Sequence, residues 1–181
     1  CNYEEITAIP DVEDKFLARK DGNYGVLNEE GREIVNFEYA EILNFGEDEN
    51  TGFIVRNSEG KYGLVDNLNN KVLNLNYDGI KNIHSGDLYV VKQGEKDILI
   101  NREETRILES GYDEIAGILT NIENGIIFIT GNKYGIMKTT GEIVIPAEYD
   151  SLKEAKSGIL IAETNRKIRS NRFIKTRISS I

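Results

Sequence analysis

A Tyr-Gly pair recurs along this chain of 181 residues, and a second tyrosine follows each glycine at one fixed interval. The clear copies lead from Gly25 to Tyr39, from Gly63 to Tyr77 and from Gly135 to Tyr149. The same step leads from Ile98 to Tyr112, so an eroded copy stands third among the four. Counted from Tyr3, successive second tyrosines lie 36, 38, 35 and 37 residues apart. Periods of this length indicate small units that stack or repeat radially, and this constrains the fold more than any other feature.

The stretch from each Tyr-Gly pair to the next tyrosine predicts a β-hairpin. Its spacing is free of insertions in every copy, which indicates a fixed hydrogen-bond register. The predicted first strands are 23–27, 61–65 and 133–137, and the predicted return strands are 33–35, 71–73, 106–108 and 143–145. The fourth turn position holds Gly31, Asn69, Glu104 or Gly141 in turn. Glycine and asparagine tolerate positive φ, so Glu104 is expected to make the most strained turn.

The glycine of each Tyr-Gly pair lies inside a predicted strand, where it usually marks a bulge or a close approach to the backbone. We expect the tyrosine ring of a neighbouring repeat to lie on that gap. Tyr24, Tyr62 and Tyr134 would then form an internal ladder whose hydroxyls reach polar partners.

The rest of each repeat varies in length and supplies further strands. Short runs of β-branched and aromatic residues stand at 16–19, 53–56, 88–91, 126–129 and 159–162. The segment after each second tyrosine (40–42, 78–80 and 113–115) is expected to form a last strand or bridge. The chain is therefore predicted to be all-β, with three to four short strands per repeat and little or no helix.

Composition narrows the class of protein. Apolar residues make up 39% of the chain, enough for a core, and no apolar run reaches the length of a transmembrane helix. Positions 164–181 contain six basic residues and no acidic ones. Because the whole chain has a net charge of −9, the part before position 164 has a net charge of −9 − 6 = −15. A body this acidic argues against nucleic acid as a partner, because phosphate binding depends on Lys and Arg.

The only cysteine is Cys1, and no disulfide can form within the chain. A first-position cysteine followed by Asn2 resembles the mature end of bacterial lipoproteins, which begin with a lipidated cysteine. We therefore expect membrane anchoring by lipid on Cys1. The alternative is an arbitrary boundary that falls on a cysteine.

The copies resemble the bacterial WG β-repeat family, also called KWG repeats. That unit reads Lys-Trp-Gly-Phe-Ile-Asp, then a turn with glycine, Val-Ile-Pro and a Tyr-Asp pair. The most similar copy here is 133–150, KYGIMKTTGEIVIPAEYD, and the resemblance covers about residues 3–165. Tyrosine replaces the tryptophan in three copies, while the third has Asp97 and Ile98. The resemblance implies a repeat architecture, frequent envelope location or secretion, and no catalytic residues.

The predicted fold is an all-β array of tandem ~36-residue β-hairpin repeats, open or solenoidal. A β-propeller-like arrangement is the alternative, although ~36 residues is short for a four-stranded blade. Residues 1–165 are predicted to form a WG-like β-repeat domain of four repeats plus the start of a fifth. Residues 166–181 are predicted to be a basic tail or a degenerate or truncated fifth repeat, in which 171–174 stand where Tyr-Gly is expected.

Candidates for chemistry are few, and the sequence predicts no catalytic, cofactor-binding or metal-binding residue. His84, the only histidine, is expected in a variable loop as a solvated residue. The acidic runs 47–50 and 103–104 lack the alternating ligand spacing of a calcium loop. The acidic residues Glu41, Glu114 and Asp150 are expected to cap or solubilise each repeat.

The expected function is that of a non-catalytic repeat module, not an enzyme, which binds or scaffolds protein or polysaccharide at the bacterial cell envelope. The variable loops 43–52, 81–87, 116–125 and 153–158 are the expected recognition surface. The alternatives are a repeat region attached to or part of an enzyme, and a structural spacer.

Overall fold

The computed structural model describes residues 3–10, 12–45, 52–108, 111–119, 125–155, 159–164 and 174–177, and within them all regular structure is β. Five small antiparallel sheets follow one another, each built from strands that are consecutive in sequence. In the described residues no strand pair joins two of these sheets. The predicted all-β fold of tandem repeats is confirmed. A four-stranded sheet in sequence order is also the blade of β-propellers, so the sheet order by itself fits both arrangements.

The first and second sheets have four strands each. The first contains β1 (Glu5–Ala8), β2 (Lys15–Lys20), β3 (Asn23–Asn28) and β4 (Glu33–Tyr39), and the second contains β5 (Glu41–Asn44), β6 (Phe53–Arg56), β7 (Tyr62–Val65) and β8 (Lys71–Tyr77). The third has three strands, β9 (Gly79–Ser85), β10 (Leu88–Gln93) and β11 (Lys96–Asn101).

The last two sheets complete the described chain. The fourth contains β12 (Glu114–Leu119), β13 (Gly125–Thr130), β14 (Lys133–Lys138) and β15 (Ile143–Tyr149), and the fifth contains β16 (Ser151–Ala155), β17 (Ile159–Glu163) and β18 (Ile174–Arg177). Of the residues expected to mark a fifth repeat, 171–173 lie outside the described part, and Ile174 begins β18.

The predicted hairpins form with the two tyrosines of each copy directly opposite one another. Tyr24 pairs with Tyr39, Tyr62 with Tyr77 and Tyr134 with Tyr149. The fixed step from the glycine to the second tyrosine is therefore a register, because it sets which residue of the return strand faces the first tyrosine.

The turn prediction is confirmed in all four copies. The fourth position has positive φ at Gly31 (74°), Asn69 (61°), Glu104 (59°) and Gly141 (87°). Glu104 adopts a left-handed conformation that costs most residues about 1–3 kcal/mol. Its predicted return strand, 106–108, is reduced to an isolated bridge from Arg106 to Ile100 and a backbone hydrogen bond from the N–H of Ile107 to the carbonyl of Leu99.

The segment after each second tyrosine is not the last strand of its own repeat, and that expectation was wrong. It begins the first strand of the following sheet, where Glu41 pairs with Arg56 and Ser151 pairs with Glu163. The boundary between sheets falls at the residue after the tyrosine, because Ala40 lies between β4 and β5.

The glycine of each Tyr-Gly pair faces a bulge of its own return strand. A Cβ added to Gly63 would lie 2.9 Å from the carbonyl oxygen of Leu73, and one on Gly25 would lie 2.8 Å from that of Val35. The rings nearest Gly25 and Gly135 are Phe37 and Phe128, from the same sheets. The expected tyrosine of a neighbouring repeat is therefore wrong, since the bulge already brings the return strand onto the glycine.

The chain divides into two compact parts. The first comprises Cys1–Asn82, Val91–Gly94 and Arg102–Glu104, and the second comprises Ile83–Val90, Glu95–Asn101 and Thr105–Ile181. The first part has a core that includes Val26, Val35, Ile42, Phe53 and Val55, drawn from the first two sheets. The second has a core built around Leu99, Ile115, Ile126 and Met137. Each sheet therefore buries a face against a sequence neighbour, as repeat proteins do.

Candidate functional site

Matching rows of polar side chains cross the first two sheets. In the first sheet Glu5 pairs with Arg19, and Arg19 pairs with Tyr24. In the second sheet Glu41 pairs with Arg56, and Arg56 pairs with Tyr62. Directly paired residues of antiparallel strands share a face, so each sheet presents a Glu-Arg-Tyr row.

Hydrogen bonds hold the second row in place. The Nε of Arg56 donates to the Oε2 of Glu41 at 2.8 Å, and the hydroxyl of Tyr62 donates to the same oxygen at 3.2 Å. The guanidinium of Arg56 lies 5.9 Å from the centre of the Tyr62 ring. Burial, followed by the charge of Glu41, raises the pKa of the Tyr62 hydroxyl.

In the first row the glutamate that pairs with the arginine is Glu4, the residue before Glu5 of the row. The Nε of Arg19 lies 3.4 Å from the Oε2 of Glu4, and its guanidinium lies 5.7 Å from the centre of the Tyr24 ring. Planar stacking and a directed ion pair restrict an arginine to few conformations. Both arginines are thus oriented before any ligand arrives.

A cleft of about 340 Å³ is lined by the first row and by Glu41 and Arg56 of the second. Its charged lining residues are Glu5, Arg19, Glu41 and Arg56, and its aromatic one is Tyr24. The volume lies at the lower end of the range for small-molecule sites, and the combination of apolar walls with a few directed polar groups is typical of them. We call this feature the two-arginine cleft.

A larger cavity of about 980 Å³ adjoins the two-arginine cleft, since both are lined by Thr7, Leu17, Ile42 and Leu43. Its other described lining residues are Ala8, Ile9, Pro10, Asn44, Phe53 and Asn82, none of them charged. The directed polar chemistry therefore lies in the smaller cleft, with apolar surface continuing from it along β1 and β5.

A second recurring polar arrangement connects consecutive sheets. The Nζ of Lys61 donates to Asp78 at 2.6 Å, and Asp78 also accepts the backbone N–H of Gly94 at 2.7 Å. Asp113 likewise binds Lys96 and accepts from Gly131 at 2.8 Å. The lysine bond, followed by the glycine N–H, lowers the pKa of each aspartate. These carboxylates hold the structure together and stay ionised, which suits them poorly to proton transfer.

The acidic residues singled out in the sequence have different places. Glu41 lies in the two-arginine cleft, whereas Asp150 pairs with Lys133 and follows its tyrosine as Asp78 and Asp113 do. Glu41, Glu114 and Asp150 are therefore not one repeated position. Asp150 directly follows its tyrosine, whereas Glu41 and Glu114 stand one residue further along. The run 47–50 lies outside the described residues, and Glu104 accepts hydrogen bonds from Asn74 and Tyr77.

The predicted recognition loops are partly strand. The first strands of four sheets take up residues 43–44, 81–85, 116–119 and 153–155. Of the other positions in the predicted loops, the structure describes Phe45, 52, 86–87 and 125. His84 lies in β9, not in a loop, because the first strand extends further than its composition suggests. The side chains of His84 and Ser85 are outside the described part.

Sequence reasoning missed Arg19 and Arg56 as site residues. The signal was available as a departure from the repeat: the equivalent partners in the fourth sheet are Glu114, Ile129 and Tyr134. An isoleucine satisfies the fold at that position. The arginines are therefore not required by the repeat.

The sequence profile of the WG containing repeat matches residues 24–58, 62–96 and 134–167. These segments make up more than half of the chain and begin at Tyr24, Tyr62 and Tyr134, the first residue of each Tyr-Gly pair. The chain belongs to the WG repeat family. The stretch that follows Asp97 and Ile98 is not matched, in agreement with the erosion of that copy.

Similar solved structures share little sequence. A eukaryotic initiation factor has a TM-score of 0.53 at 8% identity, over 90% of this chain and 49% of that chain. Hsv2p of Kluyveromyces lactis has a TM-score of 0.45 at 10% identity, over 90% and 57%. PorZ, a bacterial surface component of the type-IX secretion system of Porphyromonas gingivalis, has 0.45 at 10% identity, over 92% and 28%.

The chain thus spans less than two thirds of the length of these structures. With so little sequence in common, the likeness to the initiation factor shows the fold alone. No curated protein matches the chain.

Two features are absent from the described residues. No helix there is long and apolar enough to cross a membrane. No group of three or more His, Cys, Asp or Glu side chains is arranged there to hold a metal ion.

Proposed function

We propose that the chain is a non-catalytic repeat module that binds a protein or polysaccharide ligand at the bacterial cell envelope. The observation that carries this proposal is the two-arginine cleft. It combines oriented charged groups, an aromatic ring and adjoining apolar surface at positions where the repeat itself does not need charge. Envelope location is supported by the family, whose members are frequent there.

A non-catalytic role is supported by what the regular acidic residues do. Asp78 and Asp113 neutralise lysines and cap turns, and Glu104 receives bonds from the preceding return strand. Groups committed to such bonds are poor general acids or bases, because protonation would break the contacts that hold them.

Sedimentation with insoluble envelope material tests the binding function. Purified chain is mixed with isolated envelopes that are untreated, digested with protease, or oxidised with periodate to destroy sugar diols. We expect the chain to pellet with untreated envelopes and to lose binding after the one treatment that destroys its ligand. A chain that stays in the supernatant with untreated envelopes would refute the proposed function.

Anchoring through Cys1, which lies outside the described residues, is a separate proposal with its own test in cells that make the full-length protein. Labelling with a fatty-acid analogue is expected to mark the protein, and Cys1→Ser is expected to lose the label and leave the membrane fraction. An unlabelled natural protein would refute the anchor while leaving the ligand-binding proposal intact.

A further inference from the structure

The two-arginine cleft offers hydrogen-bond donors of fixed direction. Each guanidinium has five N–H groups, and the bonds described for Arg19 and Arg56 in this part of the structure run through Nε. The side chains remain 43% and 33% exposed, so their terminal amino groups can reach a ligand. The cleft therefore presents two planar donor forks whose orientation is set by Glu4 and Glu41.

Acceptors and apolar side chains lie beside these donors. Glu5 is exposed on β1, directly opposite Arg19. Tyr24 contributes a half-buried ring to the lining, and Leu17 and Leu43 contribute apolar wall. Arginine donors and glutamate acceptors side by side suit a molecule with many hydroxyl groups, because each hydroxyl both donates and accepts a hydrogen bond.

Charge pairing decides between ligand classes. The charged lining residues are two arginines and two glutamates, and each arginine is already paired with a glutamate, Arg19 with Glu4 and Arg56 with Glu41. A polyanion would have to approach both glutamates and an acidic body, and like-charge approach is unfavourable. A cationic segment would meet both arginines. An uncharged polar ligand leaves no charge unmatched.

We infer that the two-arginine cleft binds an uncharged saccharide segment, with its hydroxyls bonded to Arg19, Arg56 and Glu5 and its apolar face against Leu17 and Leu43. This inference rests on the proposed binding function and narrows it to one ligand class. The adjoining larger cavity extends the contact along β1 and β5, so a chain of sugars is expected to bind more tightly than a single sugar.

Calorimetric titration of the whole chain tests the ligand class. The uncharged probes are maltohexaose, cellohexaose and N-acetylchitohexaose, and the acidic probes are an alginate hexasaccharide and a hexaglutamate peptide. We expect at least one uncharged probe to bind and both acidic probes to bind more weakly or not at all. Binding of an acidic probe alone, or of no saccharide, would overturn the inference.

Variants locate the site. The double variant Arg19→Gln, Arg56→Gln is expected to weaken saccharide binding about tenfold or more, because two charge-oriented donor forks are lost. Arg32→Gln is the matched control, since Arg32 is an exposed arginine of the first repeat outside the cleft. Arg56→Lys is expected to weaken binding despite keeping the charge, because lysine lacks the planar fork.

Protection against phenylglyoxal keeps the site testable if the double variant fails to fold. Mass spectrometry of the unaltered chain should show that the bound saccharide slows modification of Arg19 and Arg56 but not of Arg32. Saccharide binding without this protection would place the ligand elsewhere and refute the site. If envelopes still pellet the chain while every saccharide probe fails, the ligand class is wrong and the binding function stands.

Discussion

The hydroxyl of Tyr77 donates a hydrogen bond of 2.7 Å to the Oε2 of Glu104, a residue of the next repeat held at a φ of 59°. The other carboxylate oxygen accepts the backbone N–H of Asn74 at 3.1 Å and the side-chain amide of Asn74. The equivalent turn residue Asn69 accepts the backbone N–H of Asn36 at 3.4 Å. A turn residue of one repeat thus binds the bulged return strand of the repeat before it.

Replacing Glu104 is expected to separate backbone strain from this bonding. Glu104→Gln should lower the free energy of unfolding by about 1–3 kcal/mol, because charged acceptors make the stronger bonds. Glu104→Gly should relieve the strain and still destabilise, since all three bonds are lost. Chemical denaturation measures both. Glu103→Gln, an exposed neighbour, is the control, and an equal loss there would contradict the assignment.

Glycine substitutions test the bulge. Gly63→Ala would place a Cβ 2.9 Å from the carbonyl oxygen of Leu73 and 3.1 Å from the backbone of Asn74. Because backbone cannot move aside cheaply, we expect a loss of about 1–3 kcal/mol. Gly117→Ala in β12 is the matched control, as nothing lies within 4 Å of its Cβ and its φ is not positive. It should be neutral or stabilising by up to about 1 kcal/mol. Equal melting temperatures for the two variants would refute the account.

Acid is expected to destabilise the fold through Asp78 and Asp113. The bonds from Lys61 and Lys96 and from glycine N–H groups hold each pKa below its unfolded value of about 3.9. Their stabilisation is therefore complete above about pH 4 and is lost as pH falls through the folded pKa.

Denaturant midpoints measured from pH 7 downward are expected to fall for the unaltered chain below about pH 4. The double variant Asp78→Asn, Asp113→Asn should start lower at pH 7 and fall less steeply. The exposed Asp87→Asn is the control. A double variant whose acid profile matches that of the unaltered chain would show that these aspartates do not carry the effect.

Alkaline titration should reveal buried tyrosines among the nine in the chain. Burial, then the charge of Glu38, raises the pKa of Tyr39 to about 12, and burial and Glu104 raise that of Tyr77. A raised folded pKa stabilises below the unfolded value of about 10, and this contribution is lost as pH rises through the folded value. Ultraviolet absorbance of tyrosinate should therefore show a late step that Tyr39→Phe reduces, and a late step of unchanged size in that variant would contradict the assignment.

The hairpins were predictable because one local stretch of sequence determines their strand register. The spacing from Gly25 to Tyr39 determines which residues face each other, and the turn chemistry requires positive φ even at Glu104. Local patterns of this kind need no knowledge of the neighbouring repeat.

The two-arginine cleft was not predictable in the same way. Glu5, Arg19 and Tyr24 stand in three different strands, and only the cross-strand register makes them neighbours. The contact of Gly63 was predicted wrongly for the same reason. The Leu73 carbonyl, not a tyrosine ring, lies against it, because a bulge in β8 changes which residues face β7.

Asp78 and Asp113 each belong by sequence to one repeat and by their glycine contact to the next. A gene segment of one period carries the lysine, the aspartate and the receiving turn together. Duplication or deletion of such a segment would therefore leave these lysine–aspartate–glycine contacts complete. WG repeat chains can on this basis change length in whole steps, and selection can alter single strand positions such as Arg56 without disturbing how one repeat meets the next.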